Sequence, residues 1–380
     1  MTATKLAMVA ATMCGAAGVF GADAFLYDTA GGTTNLSAEA QIDKPAADQR
    51  FIVCQGTVNI NEGASVKVGG NTSSVCNYIG VDCNNATAVV NIDGGMFWCT
   101  TSGGGSGYLA VGANNYTLAG VLNLNSGTLK VDGRVRSSTM WNSMSGASCS
   151  GAVNINGGEA DVNEFFVGTD ADNTGSSSLR LAGGVLKVNL LSIRSYNNQT
   201  FEWGSGTLEA KKENVFQLYQ YFSYSNTRSL SITGAPAVFN TAGFAQTIPA
   251  GFTGTGTLRI TGGGATAFDA DSVTYSLALD GATLALAKNG RFATAGTLSL
   301  GTGSKISCDM TLHSAYRIEA AGGIELPEGA SVQDFVEAAD GGAVAATLTD
   351  GGKTILVGYA AGDVVKAVWK GAAGASGASS

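Results

Sequence analysis

Charge is scarce in this chain: only 13% of its 380 residues are Asp, Glu, Lys or Arg. No basic cluster interrupts a formal net charge of −8, which argues against nucleic acid and against an anionic membrane surface as partners. Histidine occurs once, as His313. A Ser-His-Asp relay would have to use it, and no G-x-S-x-G elbow accompanies it, so His313 is expected on the surface or in a loop. There is no C-x-x-C, so a thiolate zinc site has no support. Beyond the N-terminal stretch, no apolar run reaches the roughly 18 residues of a membrane-crossing helix, so no transmembrane segment is expected in the mature chain. Helical periodicity is weak throughout, and the best stretch for a helix is 209–221. Low hydrophobicity with high charge, the signature of disorder, is missing too.

Glycine is abundant instead, at 55 residues with no Gly-X-Y period, which fits dense turns and excludes collagen. The turns belong to a phrase that returns eleven times: apolar, polar, apolar, then a Gly-centred turn. Clear copies are Val58-Asn59-Ile60-Asn61-Glu62-Gly63, Leu122-Asn123-Leu124-Asn125-Ser126-Gly127 and Val153-Asn154-Ile155-Asn156-Gly157-Gly158. The anchors are Val58, Val90, Leu122, Val153, Leu179, Phe201, Leu230, Leu258, Leu277, Leu298 and Ile324. Their gaps run from 19 to 32 residues, which suits a coil of fixed circumference carrying loops of variable length. Alternation of period two marks half-buried strands, and the second position is a wet face: Asn59, Asn91, Asn123 and Asn154 in the clearest copies. A second strand follows each anchor, as in Thr128-Leu129-Lys130-Val131. A third apolar segment precedes the next anchor, as in Tyr78-Ile79-Gly80-Val81 and Phe165-Phe166-Val167. Three short strands per turn, stacked, predict an all-β parallel β-helix solenoid of about eleven rungs, each burying its neighbour's core. A hairpin-linked β-sandwich is the alternative, and Asn-Gly hairpin signals are nearly absent.

The domain boundaries follow. Residues 1–24 read as a secretory signal: Lys5 as n-region, 6–20 as apolar h-region, and Ala22-Asp23-Ala24 as cleavage site, with Val19-Phe20-Gly21 as the other option. Residues 25–54 read as an N-terminal cap, 55–335 as the repeats, and 336–370 as C-terminal strands that include 351–357 and 364–369. Residues 371–380 read as a disordered Gly/Ala/Ser tail. Export permits disulfides among Cys54, Cys76, Cys83, Cys99, Cys149 and Cys308. Small apolar packing inside the coil is the equal alternative. Cys54 and Cys83 are the pair placed for adjacent rungs.

The segments 122–131 with 108–112, and 153–162 with 165–168, resemble the autotransporter-associated β-strand repeat proteins and autotransporter passenger domains. Weaker copies extend the resemblance over 55–335. It implies a right-handed parallel β-helix at the cell surface. Autotransporters add a C-terminal block of alternating strands for an outer-membrane barrel, and no such block is visible here.

Four groups could carry chemistry. Glu159, Asp161 and Glu164, with Arg134 and Arg136, are the carboxylates and cations a polysaccharide lyase or glycosidase on this fold would use; scattered solvated charge is the simpler account. Asp170, Asp172, Asn173 and Thr174 with Gly175 resemble part of a calcium loop, yet Leu181 stands where an EF-hand has Glu, and an Asx-rich turn explains them as well. Phe216, Tyr219, Tyr221, Phe222 and Tyr224 could stack on sugar rings, with core packing favoured. His313 is the fourth. None of these is assigned as a catalytic, cofactor or metal residue, and no cofactor is expected. The sequence reads as a secreted or cell-surface, noncatalytic β-helix, a scaffold or adhesin-like protein with an extracellular glycan or protein partner. The alternative is a carbohydrate-active enzyme or glycan-binding module on the same fold.

Overall fold

The computed structural model describes residues 25–44, 50–69, 77–81, 87–102, 107–113, 118–139, 149–168, 175–194, 198–219, 228–234, 236–286 and 290–360. Strands account for nearly all the regular structure there, with one 3-10 turn at Val332–Phe335. The period-two alternation is the reason. In Thr207–Ala210, Leu208 and Ala210 are buried while Thr207 and Glu209 are half-buried on the other side. The stretch with the best helical pattern, 209–221, holds strand instead as far as it is described: Thr207–Ala210 and Phe216–Tyr219 with a polar bend between them.

The strands pair in parallel columns. In the first column, residues 57–61 pair with 89–94, then with 121–126, Cys149–Ile155, Ser176–Leu181, Asn198–Trp203, Arg228–Ile232 and Phe252–Thr253. The register places Val58 beside Val90, Val90 beside Leu122, and Leu122 beside Val153. A second column starts at Gln41–Lys44 and Ser65–Val68 and runs to Thr297–Leu300 and Gly323–Glu325. A third contains 51–53, Asn77–Val81, Leu109–Ala113, 164–167 and Phe216–Tyr219. The chain visits these columns in turn, which makes a β-helix-like solenoid. Among the described residues, the two antiparallel pairings lie at the C-terminal end, where Val344–Thr349 and Thr354–Tyr359 form a hairpin against Ala315–Ala320.

One expectation, the single run of anchors, needs correction. Leu258, Leu277, Leu298 and Ile324 do stack on one another, but they stand on Ala237 in the second column. The residue beside Leu230 is Phe252. Both columns spell the same apolar-polar-apolar phrase, and the first column shrinks to Phe252–Thr253, too short to spell it. At the other end, Phe25–Leu36 already pairs in parallel with Phe51–Asn61, and Gln41–Lys44 with Ser65–Val68. The parallel pairing thus extends into the segment 25–54 that the sequence marks as the N-terminal cap.

The interior is a continuous apolar column. Val58, Ile60, Val90, Ile92, Leu122, Leu124, Val153 and Ile155 are all fully buried. Side chains at the same register position meet one strand spacing apart, so each strand covers the exposed edge of the one before it. The third column differs: Ile52, Tyr78, Ala110 and Phe166 are buried as well as their inward neighbours. Strands covered on both faces read as unbroken apolar runs, which is how Phe51-Ile52-Val53-Cys54 and Phe165-Phe166-Val167 appear in the sequence. Gly127 shows why the turn residue is Gly. Its φ is +82°, and a Cβ there would press on the backbone of Gly94 and Gly95 one strand below.

Candidate functional site

The outward rows of the first two columns hold the candidate chemistry. On the first column the asparagines form a ladder. Asn59 Nδ2 donates to Asn35 Oδ1 at 2.7 Å, and the steps Asn91 to Asn59, Asn123 to Asn91 and Asn154 to Asn123 each measure 2.8 Å. Two residues further along the strands a second row repeats the pattern, with Asn125 donating to Asp93 and Asn156 to Asn125, both at 2.8 Å. Parallel in-register strands place identical side chains one strand spacing apart, the distance at which primary amides bridge. Sequence reasoning placed Asn59, Asn91, Asn123 and Asn154 on a wet face but missed that they bond to one another. Their constant offset from the anchor was the available signal.

The second column carries alternating charge. Lys67 pairs with Asp43 at 3.4 Å, and the ammonium groups of Lys67 and Lys130 lie 4.8 and 4.4 Å from the Trp98 ring centre. The candidate carboxylates continue this row. Glu159 and Asp161 do share the outer side of one strand. Lys187 Nζ lies 2.9 Å from Glu159, and Lys211 Nζ lies 2.6 Å from Asp161. The hydrogen bond that its ammonium group donates to Glu159 is the main reason Lys187 is held above the usual lysine range. Glu164 lies around the corner on the third column, where Arg134 donates to it through Nε at 2.7 Å and Nη2 at 2.5 Å. Arg134 and Arg194 also sandwich the Phe166 ring at 4.0 and 4.1 Å, with Arg136 at 5.7 Å. The structure therefore brings Glu159 and Asp161 together and separates them from Glu164. Each carboxylate has one oxygen engaged by a cation: Lys187 and Arg134 from adjacent strands, and Lys211 from the bend after Thr207–Ala210. These groups act as cross-strand pairs, the sheet counterpart of helix-surface ion pairs.

His313 lies in the turn between Lys305–Cys308 and Ala315–Ala320, its ring edge-on to Tyr316 at 5.5 Å. Nearby Asp309 accepts from the Thr311 hydroxyl at 2.6 Å and from its amide at 3.1 Å, and these bonds hold its carboxyl below the usual range. Phe216 packs inward against Phe239 and Phe252, with ring centres 5.5 and 5.8 Å apart. Trp203 and the anchor Phe201 complete this cluster, and Trp203 is the member that sequence reasoning did not single out. Only the backbone of Tyr219 is described; Tyr221, Phe222 and Tyr224 lie outside the described residues, as do Asp170, Asp172, Asn173 and Thr174.

Cys54, Cys99, Cys149 and Cys308 are all buried in the coil. Cys76 and Cys83 lie outside the described residues, and with them the Cys54–Cys83 pairing. Burial pushes the Cys308 thiol up to about 12, far from a reactive thiolate. Among the described residues no group of three His, Cys, Asp or Glu side chains converges on one point, and no helix is long and apolar enough to cross a membrane.

A parallel-stranded solenoid with polar ladders on its outside is thus the class of protein defined by fold and surface. No family model, no curated protein and no solved structure matches the chain.

Proposed function

We propose that this is an exported, noncatalytic surface protein: a right-handed parallel β-helix of about eleven rungs that serves as a scaffold or adhesin, as the resemblance to autotransporter-associated repeats implies. The observation that carries the reading is the use made of Glu159, Asp161 and Glu164. Glu159 and Glu164 pair with Lys187 and Arg134 on neighbouring strands, and Asp161 pairs with Lys211 in the bend after Thr207–Ala210, two strands further on, so the best acid-base candidates are engaged in ion pairs between strands. Catalysis on polysaccharide needs an acid and a base free to exchange protons with substrate. The other outward groups of the first column are mainly Asn, Ser and Thr, which hydrogen-bond without exchanging protons near neutrality. The signal-like segment at 1–24 supports export.

The test has two arms. Cell fractionation of the source organism should find the chain outside the cytoplasmic membrane. Incubation with neutral and uronate polysaccharides, with and without calcium, should release no reducing ends or unsaturated products. Steady product release that disappears in Glu159→Gln or Asp161→Asn would establish the carbohydrate-active alternative instead.

A further inference from the structure

The asparagine ladder leaves hydrogen-bonding capacity unused. A primary amide has two N–H donors and an oxygen with two lone pairs. Within the ladder, Asn91 and Asn123 each spend one donor on the strand below and one lone pair on the strand above. One N–H and one lone pair per strand remain, on side chains of the half-buried outer row. Asn125 of the second row keeps the same remainder. These groups are fixed in advance, because each amide is held by its neighbours and loses little freedom on meeting a ligand.

Alongside the ladder runs a third row, Thr57, Val89, Val121 and Ala152, joined in register and half-buried. It supplies small apolar and methyl surface. The three rows repeat at about 4.8 Å along the solenoid and about 7 Å across it. Asp93 is their single formally charged member. Charge returns beyond Asn154, where Arg180 pairs with Glu202 at 3.3 Å, and it dominates the second column through Asp43, Lys67, Lys130, Asp161 and Lys187.

From this contrast we infer that the face bearing Asn91, Asn123 and Asn154 is a binding site for an uncharged polysaccharide lying along the solenoid axis. The inference rests on the noncatalytic surface reading above. Complementarity selects the ligand. A nearly neutral face gives no attraction for uronate or sulfate groups, and a repeating row of donor and acceptor pairs suits a polymer that repeats its hydroxyl groups. The apolar row gives the carbon faces of the sugar rings a surface to lie on.

The experiment uses the purified full chain in affinity electrophoresis against a neutral glucan, mannan and xylan, with polygalacturonate as the acidic comparison. Oligosaccharides of increasing length follow in calorimetry. At least one neutral polysaccharide should bind, with little dependence on salt, and affinity should rise with chain length and level off near the length of the ladder. Val121→Lys and Ala152→Lys place charge on the face without touching a ladder amide. Each should weaken binding by about tenfold or more, while Ala285→Lys on another face leaves it unchanged. Circular dichroism confirms that all three variants fold. The proposal is overturned by folded protein that binds no neutral member of the panel, by preference for polygalacturonate, or by binding indifferent to the lysines at 121 and 152. Failure of the noncatalytic reading would show separately, as product release.

Discussion

The Nδ2 of Asn123 donates to the Oδ1 of Asn91 at 2.8 Å, across one strand-to-strand step of the first column. Asn123 also accepts from Asn154 at 2.8 Å, so it is an interior member of the ladder. Asn123→Ala removes both bonds and should lower stability by about 1–2 kcal/mol in chemical denaturation followed by far-UV circular dichroism. Asn123→Asp keeps the acceptor for Asn154 but turns an oxygen toward the oxygen of Asn91. Its destabilisation should exceed that of the alanine variant at neutral pH and shrink below about pH 4, where the carboxyl regains a donor. Equal effects at both pH values would show that the ladder bonds contribute nothing.

Leu122 and Val121 are chain neighbours on opposite sides of one strand, the first fully buried and the second half-buried. Leu122→Ala should cost about 2–5 kcal/mol, because a cavity is left in a close-packed interior. Val121→Thr should stay within about 0.5 kcal/mol. Denaturation midpoints of the two variants measure the difference directly, and a reversed order would contradict the assigned faces.

Gly127→Ala tests the turn. A Cβ would be strained by the φ of +82° and would meet the Gly94 and Gly95 backbone. The loss should exceed about 1 kcal/mol, more than the entropy gained by removing a glycine from the unfolded chain. A neutral or stabilising outcome would rule out this stacking of turns.

Alkaline pH should weaken the fold. Burial raises the Cys308 thiol to about 12, against about 8.5 in an unfolded chain. Between those values the unfolded chain has released a proton that the folded chain retains, so stability falls as pH rises. The contribution is complete below the unfolded value and is gone above about 12. Burial also raises Tyr275 and Tyr316, so Cys308→Ala should reduce the slope of stability against pH in this window without abolishing it. An unchanged slope would remove Cys308 from the account.

Much of the fold could be read from the chain. Period-two alternation determined that Val58, Val90, Leu122 and Val153 face one way and Asn59, Asn91, Asn123 and Asn154 the other, because successive strand residues must point to opposite sides. The third apolar segments announced themselves as unbroken runs, since both their faces are covered. The candidate site was legible only as composition. Glu159 and Asp161 could be placed on one side of a strand, but their partners Lys187 and Lys211 lie 28 and 50 residues away in the chain.

What the sequence determined by itself is therefore the local grammar: strand, face and turn, all set by interactions within a few residues. Which strand lies beside which was decided only by the tertiary structure. Leu258 follows Leu230 in the run of anchors, yet Leu230 meets Phe252, and Leu258 meets Ala237. The phrase is the same in both columns, so alternation carries no column label. Register is chosen by closing each turn over the one before it, where loop length, core volume and cross-strand pairs act together. The asparagine ladder is the clearest product of that choice, since its bonds exist only once residues 24 to 32 apart have been brought one strand spacing from each other.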